Sequence, residues 1–434
     1  MRDIALTLFI AALLPVALWR PEFGAYLWAW ISMMNPHKLA FGFANSAPWA
    51  YIIALVTLTG LLFSKQRQAF PVTAPTMLLL SLIGWMTVTS IFALNAPDAV
   101  WDRWLFVLKI HLMLCVTLML IRGREQLDRL IWVIVVSIGF YGVKGGLWTI
   151  ATGGGGRVWG PPGGMIGGNN ELAVALVLLL PLMFYLQQTV VRRWLRWALA
   201  GSMVVTVFAI LGTQSRGALL GLLAVSLVLG LKGRHPWRMM VLIGLTVGLA
   251  IVFMPDSWTS RMDTLRDYQA DGSAMSRLYS WHTIWNLALD RPLVGAGFGT
   301  ENPALFARYA PLGPEYQAVS GGAWVAHSIY FQALGEHGFV GLALYVALGL
   351  FTWRLAAQVS KRAEGDPELS AWLPLLMRMC QASLVGFASG AAFLSLMHFD
   401  VQYYVVAIVV IADASVRVSS AAVAKPSSRD ARRA

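Results

Sequence analysis

Charge is scarce in this chain. Asp, Glu, Lys and Arg together make up 12% of its 434 residues, where a soluble domain carries ~25%. A soluble fold of this size could not cover its surface with so few charges, which excludes an ordinary cytosolic enzyme. Cysteine is nearly absent too. Cys115 and Cys380 each sit in an apolar run and say nothing about disulfides or metal, and no paired-cysteine zinc pattern occurs. No glycine-rich phosphate loop ending in Lys-Ser/Thr occurs, and no HExxH or spaced Asp pair, which argues against nucleotide hydrolysis and against a recognisable zinc or divalent-ion motif. No internal repeat is visible.

What is present in abundance is apolar sequence. Hydrophobic residues are 58% of the chain, which rules out disorder and fibrous repeats and leaves an all-α polytopic membrane protein. With ~20 apolar residues per span, twelve spans are expected, at 4–20, 48–64, 75–94, 104–121, 129–150, 171–187, 195–213, 216–231, 238–254, 338–357, 371–397 and 402–417. The start Met1-Arg2-Asp3 runs straight into apolar residues without a small-residue cleavage site and reads as an uncleaved first span. The stretch 21–47 is ambiguous and is assigned to an interfacial or re-entrant segment.

Lys and Arg outnumber Asp and Glu 33 to 21, a net charge of +12. No basic stripe carries interleaved aromatics, so nucleic acid is not the expected partner. The basic residues instead cluster at Lys65/Arg67, Arg122/Arg124/Arg129, Arg192/Arg193/Arg196, Lys232/Arg234/Arg238, Arg354/Lys361/Arg362 and Arg417 onward, on every second connection. The positive-inside rule places these clusters, and both termini with them, in the cytoplasm. The opposite connections then face outward, and the largest of them is 255–337. The expected organisation is a bundle of nine spans over 1–254, a large periplasmic loop over 255–337, further transmembrane helices over 338–418, and a disordered cytoplasmic tail over 419–434.

Outward-facing cations are the notable chemistry. Arg216, in Gln214-Ser215-Arg216-Gly217, serves either as a snorkelling interfacial arginine or as an anion clamp, since a guanidinium fork matches phosphate. Arg261, Arg266, Arg277 and Arg291 lie in the long loop. Arg277 precedes Pro292-Leu293-Val294-Gly295-Ala296-Gly297-Phe298-Gly299, which lacks a strand-turn-helix context and reads as a close backbone turn. Lys109 and Lys144 fall within spans, where a charge marks a functional cavity or snorkels to the interface. The Gly/Pro-rich segment 153–171 forms an irregular outward loop, tolerated near a membrane only against protein or a cavity.

The most informative stretch is Ala326-His327-Ser328 through Gly335-Glu336-His337-Gly338-Phe339-Val340-Gly341. A histidine beside arginines suits general-base work next to an anion. His327 and His337 are ten residues apart, ~15 Å along a continuous helix, and cannot grip one ion together. A metal site is therefore not expected.

His327-Ser328, nine residues, then Gly338-x-x-Gly341 resembles the His-[Asn/Ser/Gln]-x9-Gly-x-x-Gly motif of the bacterial O-antigen ligase and polymerase superfamily. Ser215-Arg216-Gly217, the pattern Arg277…Trp281…Pro292-Leu-x-Gly-x-Gly297 and the long outward loop also fit. Met34-Asn35-Pro36-His37, Phe140 to Gly146 and Val158 to Gly163 resemble the branch of O-glycosylation ligases. The resemblance implies a GT-C-like membrane glycosyltransferase at the periplasmic face of the inner membrane. Its donor would be a glycan on undecaprenyl diphosphate. The acceptor would be a sugar hydroxyl of lipid A–core for a ligase, another repeat unit for a polymerase, or a Ser, Thr or Tyr hydroxyl for a protein ligase. Neither metal nor other cofactor is implied, and the other partners are membrane lipids.

On that basis His327 is the expected base and Arg216 and Arg277 the expected diphosphate ligands, with Arg261, Arg266 and Arg291 in reserve. Lys109, Lys144, Ser328, Glu336 and His337 would support them, the last two by orienting His327 or capping its helix. Direct attack by the acceptor hydroxyl would invert the anomeric centre. A lipid-linked glycan transporter is the distant alternative; the spans lack the matched interrupted pair that many transporters show.

Overall fold

A computed structural model describes residues 2–65, 67–231, 248 and 272–424. The described residues are helical, with short 3-10 turns and no strand. The helices are α1 (Arg2–Trp19), α2 (Pro21–Met34), α3 (Trp49–Phe63), α4 (Ala74–Ile91), α5 (Pro97–Leu120), α6 (Gly123–Ala151), α7 (Asn169–Thr189), α8 (Arg193–Gly212), α9 (Arg216–Leu231), α10 (Gly272–Asp290), α11 (Pro303–Tyr309), α12 (Ile329–Ala363), α13 (Pro367–Ser370), α14 (Leu373–Gly390) and α15 (Asp400–Ala424).

Seven of these, α1, α4, α5, α6, α7, α8 and α12, are long and apolar enough to cross a membrane, and α3 and α9 are shorter apolar helices. The chain is thus a multi-pass membrane protein. These seven are counted among the described residues by length and hydropathy alone, and the expected span at 238–254 lies outside the described residues apart from position 248.

α7 is the axis of the bundle. Every residue from Leu172 to Met183 is buried, as an all-round apolar helix requires. α15 is buried in the same way from Val401 to Asp413. Where helices approach most closely, small residues line the seam. A Cβ on Gly217 of α9 would stand 3.0 Å from the Gly390 carbonyl of α14, and one on Gly221 would stand 2.9 Å from that of Gly386.

The stretch left ambiguous in the sequence is a 14-residue helix, α2, followed by two 3-10 turns. It is short because Pro21 starts it and Asn35, in the left-handed region, ends it. α2 runs alongside α6 in the same direction: the Tyr26 hydroxyl donates to the Gln126 carbonyl, and the Tyr141 hydroxyl to that of Met34. This extra helix changes the bookkeeping of ends. The last turn of α1 lies at Gly60, close to Lys65 and the basic end of α3, whereas its first turn brings Asp3 against Gly42. Gly42 shares its end of the bundle with Asn35, which touches Gly164 in the 152–168 loop. The last turns of α15 lie at the basic end: Asp413 pairs with Arg362 at 2.9 Å and Arg417 at 2.7 Å.

The start of α1 and the end of α15 therefore lie at opposite ends of the bundle, whereas the basic clusters had suggested both termini on one side. Residues 329–337, expected in the long loop, are the first turns of α12, and the rest of that loop over 272–328 contains α10 and α11. α15 extends to Ala424, into the expected disordered tail, because no proline or glycine interrupts 400–424. Topology reporters fused to the two termini should accordingly score opposite sides of the membrane; the same side for both would overturn the placement of α2.

Candidate functional site

α12 holds the site, and its defining feature is a break. Gly338 has φ 67° and ψ −172° inside an otherwise continuous run of 35 residues. That region is open essentially to glycine alone. A side chain would also collide, since a Cβ would lie 2.2 Å from the Leu293 carbonyl oxygen. The break frees backbone groups that a straight helix would pair internally, and each finds a partner. The Gly335 carbonyl accepts from Ala296 N–H at 2.8 Å, that of Glu336 from Gly297 N–H at 2.9 Å, and that of His337 from Trp85 Nε1 at 2.9 Å. Phe339 N–H donates to Pro292 at 2.8 Å. The run Pro292–Gly299 is thus a strap around the break, and Gly295, at φ 58°, is where it passes closest to α12. The expected close turn is there, and its purpose is to serve α12.

Arg291 belongs to this strap. Its Nε donates to the Gly295 carbonyl at 2.6 Å and its Nη2 to that of Phe92. The guanidinium proposed for diphosphate is engaged by backbone instead.

His327 sits just ahead of α12, half-buried, with φ 44°. Such a backbone is uncommon for a non-glycine residue, though histidine is among those enriched there. Ser328 is the N-cap, its hydroxyl accepting from Phe331 N–H at 3.5 Å, which explains a small polar residue after the histidine. α10 holds the segment from the side. Trp281 Nε1 donates to the Ala326 carbonyl at 2.6 Å, and its ring stacks on Phe331 with centroids 5.0 Å apart. Arg277 lies one turn earlier on α10. Burial, and then the positive charge of Arg277, hold the His327 imidazole below its ordinary pKa of 6.5.

Arg216 opens α9 at the same end of the bundle. Its neighbour Gly217 packs on Gly390 and Phe393, and Phe393 in turn meets Trp281 at 6.3 Å. Gln214, two residues before Arg216, is another non-glycine residue with positive φ, at 57°. It accepts from Arg157 Nε at 3.2 Å, so a further arginine, not singled out in the sequence, stands at this mouth. Arg277 and His327 thus stand beside Trp281, and Arg216 follows them at one remove, through Gly217 and Phe393. Arg261 and Arg266 lie outside the described residues. Lys109 and Lys144 are exposed on the flanks of α5 and α6.

Glu336 and His337 do not orient His327 or cap its helix. They lie about 13 Å farther along α12, wholly buried at the break. There they meet a histidine the sequence reading passed over. His398 Nε2 lies 3.0 Å from Glu336 Oε2, and His337 Nε2 lies 3.7 Å from the same oxygen. The only hint in the sequence was a polar His398-Phe399-Asp400 interrupting two apolar runs. No spacing in the sequence signals this grouping: one ligand atom from each of Glu336, His337 and His398 lies within 4.8 Å of the others.

Two outcomes follow from the strap. Gly338→Ala should destabilise the fold by about 3 kcal/mol or more, from backbone strain of about 1–3 kcal/mol plus the clash; a thermal midpoint in detergent within a degree of wild type would contradict this. Arg291→Met should lower the midpoint through two lost hydrogen bonds while leaving the KM for a lipid-linked donor unchanged.

Two family models match the chain. Residues 1–191 match one described as a family of unknown function, and residues 201–346 match the O-antigen ligase model. Curated proteins give no match. The second segment contains Arg216, Arg277, Arg291, His327 and the broken start of α12, so the chain carries an O-antigen ligase family domain over residues 201–346.

Proposed function

We propose that this protein transfers a glycan from undecaprenyl diphosphate to a sugar hydroxyl of lipid A–core, at the outer face of a bacterial inner membrane. The family match supports an O-antigen ligase or polymerase type of function. The observation that carries the residue assignment is the His327 imidazole, held beside Arg277 at the end of the bundle opposite the basic clusters. By the positive-inside rule that end faces the periplasm.

The chemistry follows from charge. As the acceptor oxygen attacks the anomeric carbon, the bond to the diphosphate oxygen breaks and the lipid diphosphate departs with the bonding pair. Arg216 and Arg277 offer the cationic donors that this growing charge needs, and Arg157 stands close enough to join them. The acceptor proton passes to His327. An imidazole whose pKa is lowered by burial and by Arg277 is neutral at physiological pH and able to receive it. A single displacement inverts the anomeric centre.

In a transfer assay with purified protein, donor lipid and lipid A–core, His327→Ala should reduce kcat by about 10²–10⁴-fold, and Arg216→Gln should cost more than Arg216→Lys. Protonation removes the base, so wild-type kcat/KM should fall on the acid side with a midpoint below 6.5. A midpoint above 6.5, or full activity of His327→Ala, would reject His327 as the base. Transfer to repeat units or to a protein hydroxyl, with none to lipid A–core, would keep the donor chemistry and reassign the acceptor.

A further inference from the structure

The cluster Glu336, His337 and His398 is not used by the proposed reaction, and its polar groups are only partly satisfied. We infer that it binds a divalent transition-metal ion, with zinc the best fit, through Glu336 Oε2, His337 Nε2 and His398 Nε2. The inference does not rest on the transfer reaction.

Four observations carry it. The first is spacing. Bonds of ~2.0–2.1 Å in tetrahedral array put ligand atoms about 3.3–3.5 Å apart, and the two contacts to Glu336 Oε2, at 3.0 and 3.7 Å, bracket that separation.

The second is an orphaned atom. His337 Nε2 is fully buried and has no hydrogen-bond partner among the described residues. An imidazole nitrogen deprived of both water and protein, facing a carboxylate and a second imidazole, is unfavourable without an ion.

The third is tautomer control. His337 Nδ1 lies 2.8 Å from Thr89 Oγ1, and the Thr89 hydroxyl is itself directed at the Met86 carbonyl at 3.0 Å. Thr89 Oγ1 therefore receives the Nδ1 proton, and Nε2 presents its lone pair to the cluster. Metal-binding histidines are characteristically held by such an outer partner.

The fourth is the division of labour on Glu336. Oε1 accepts from Gln332 Nε2 and Gly299 N–H, both at 3.4 Å, which leaves Oε2 toward the two imidazoles. Gln332 in turn accepts from Met397 N–H at 3.1 Å, securing the segment that carries His398. The Phe298 ring lies 5.0 Å from that of His337 and 5.3 Å from that of His398, giving the site an apolar wall. Two imidazoles and one carboxylate favour a transition metal over magnesium or calcium, which prefer oxygen ligands. Three protein ligands leave a fourth position for water. An ion here would tie α12 at its break to the segment before α15, with Thr89 of α4 and the Pro292–Gly299 strap in its outer shell.

The test is elemental analysis of the full-length protein purified in detergent without chelator, for wild type, Glu336→Gln, His398→Gln and the control His327→Ala. Near one transition-metal ion per chain is expected in wild type and in His327→Ala, with loss of most of it in the other two. Wild-type protein stripped with EDTA should melt at a lower temperature, recover with stoichiometric Zn²⁺ but not Mg²⁺, and gain visible absorption bands with Co²⁺. These wild-type measurements stand even if a variant fails to fold. Wild type that carries no metal, shows no midpoint change with EDTA or Zn²⁺ and no Co²⁺ bands would overturn the inference. So would metal retained by both cluster variants. Loss of transfer activity in His327→Ala with its metal retained would keep the two sites separate.

Discussion

A helix broken at one glycine organises this molecule. Once Gly338 turns out of the helical region, the carbonyls of Gly335, Glu336 and His337 need outside donors, because buried backbone groups cannot be left unpaired. The donors come from a strap of glycines and from Trp85 of α4. Satisfying those groups draws the strap onto α12, and Arg291 ties the strap to the end of α4 through the carbonyls of Gly295 and Phe92. The strap continues directly from α10, so seating it also helps to place α10 beside the start of α12, where Trp281 grips Ala326 and brings Arg277 near His327. A single local backbone constraint is thus connected to the position of His327, eleven residues away, and of Arg277 beside it.

The same break explains two polar centres on one helix. At the N-terminal end, His327 and Ser328 meet the mouth formed by Arg216, Arg277 and the loop carrying Arg157. Farther in, Glu336 and His337 face Thr89, Phe298 and His398 in a fully buried setting. The first centre is partly exposed and cationic, suited to an anionic lipid-linked donor. The second is dry and centred on a carboxylate, suited to a cation. Their separation along α12 lets each keep the charge it needs.

Much of the site was legible in the sequence because its residues are local. The His-Ser pair, Gly338 and Gly341 lie within fifteen residues, and short-range spacing on one helix leaves a readable pattern. The role of the glycines was only half legible. Gly295 reads as a turn, but that the turn encloses α12 depends on a contact some forty residues away. The functional reading of Lys109 and Lys144 had no support in periodicity. A lysine inside an apolar run can face a cavity or the outside, and only the packing of α5 and α6 decides. α2 escaped because a buried 14-residue helix with Glu22, a proline at its start and aromatics on both faces has neither the length nor the purity of a span.

The sequence alone determined the class of the protein: too little charge for a soluble surface, long apolar runs, and basic clusters on alternate connections. It also determined the family and the residues of the His327 motif, because those signals are compositional or local. Tertiary structure decided the rest. It set the start of α1 and the end of α15 at opposite ends, engaged Arg291 with carbonyls, and joined Glu336 and His337 to His398, 62 residues from Glu336, and to Thr89, 248 residues from His337. Such pairings follow from how helices pack through their small residues and from where freed backbone groups find donors, and no spacing in the chain encodes either one.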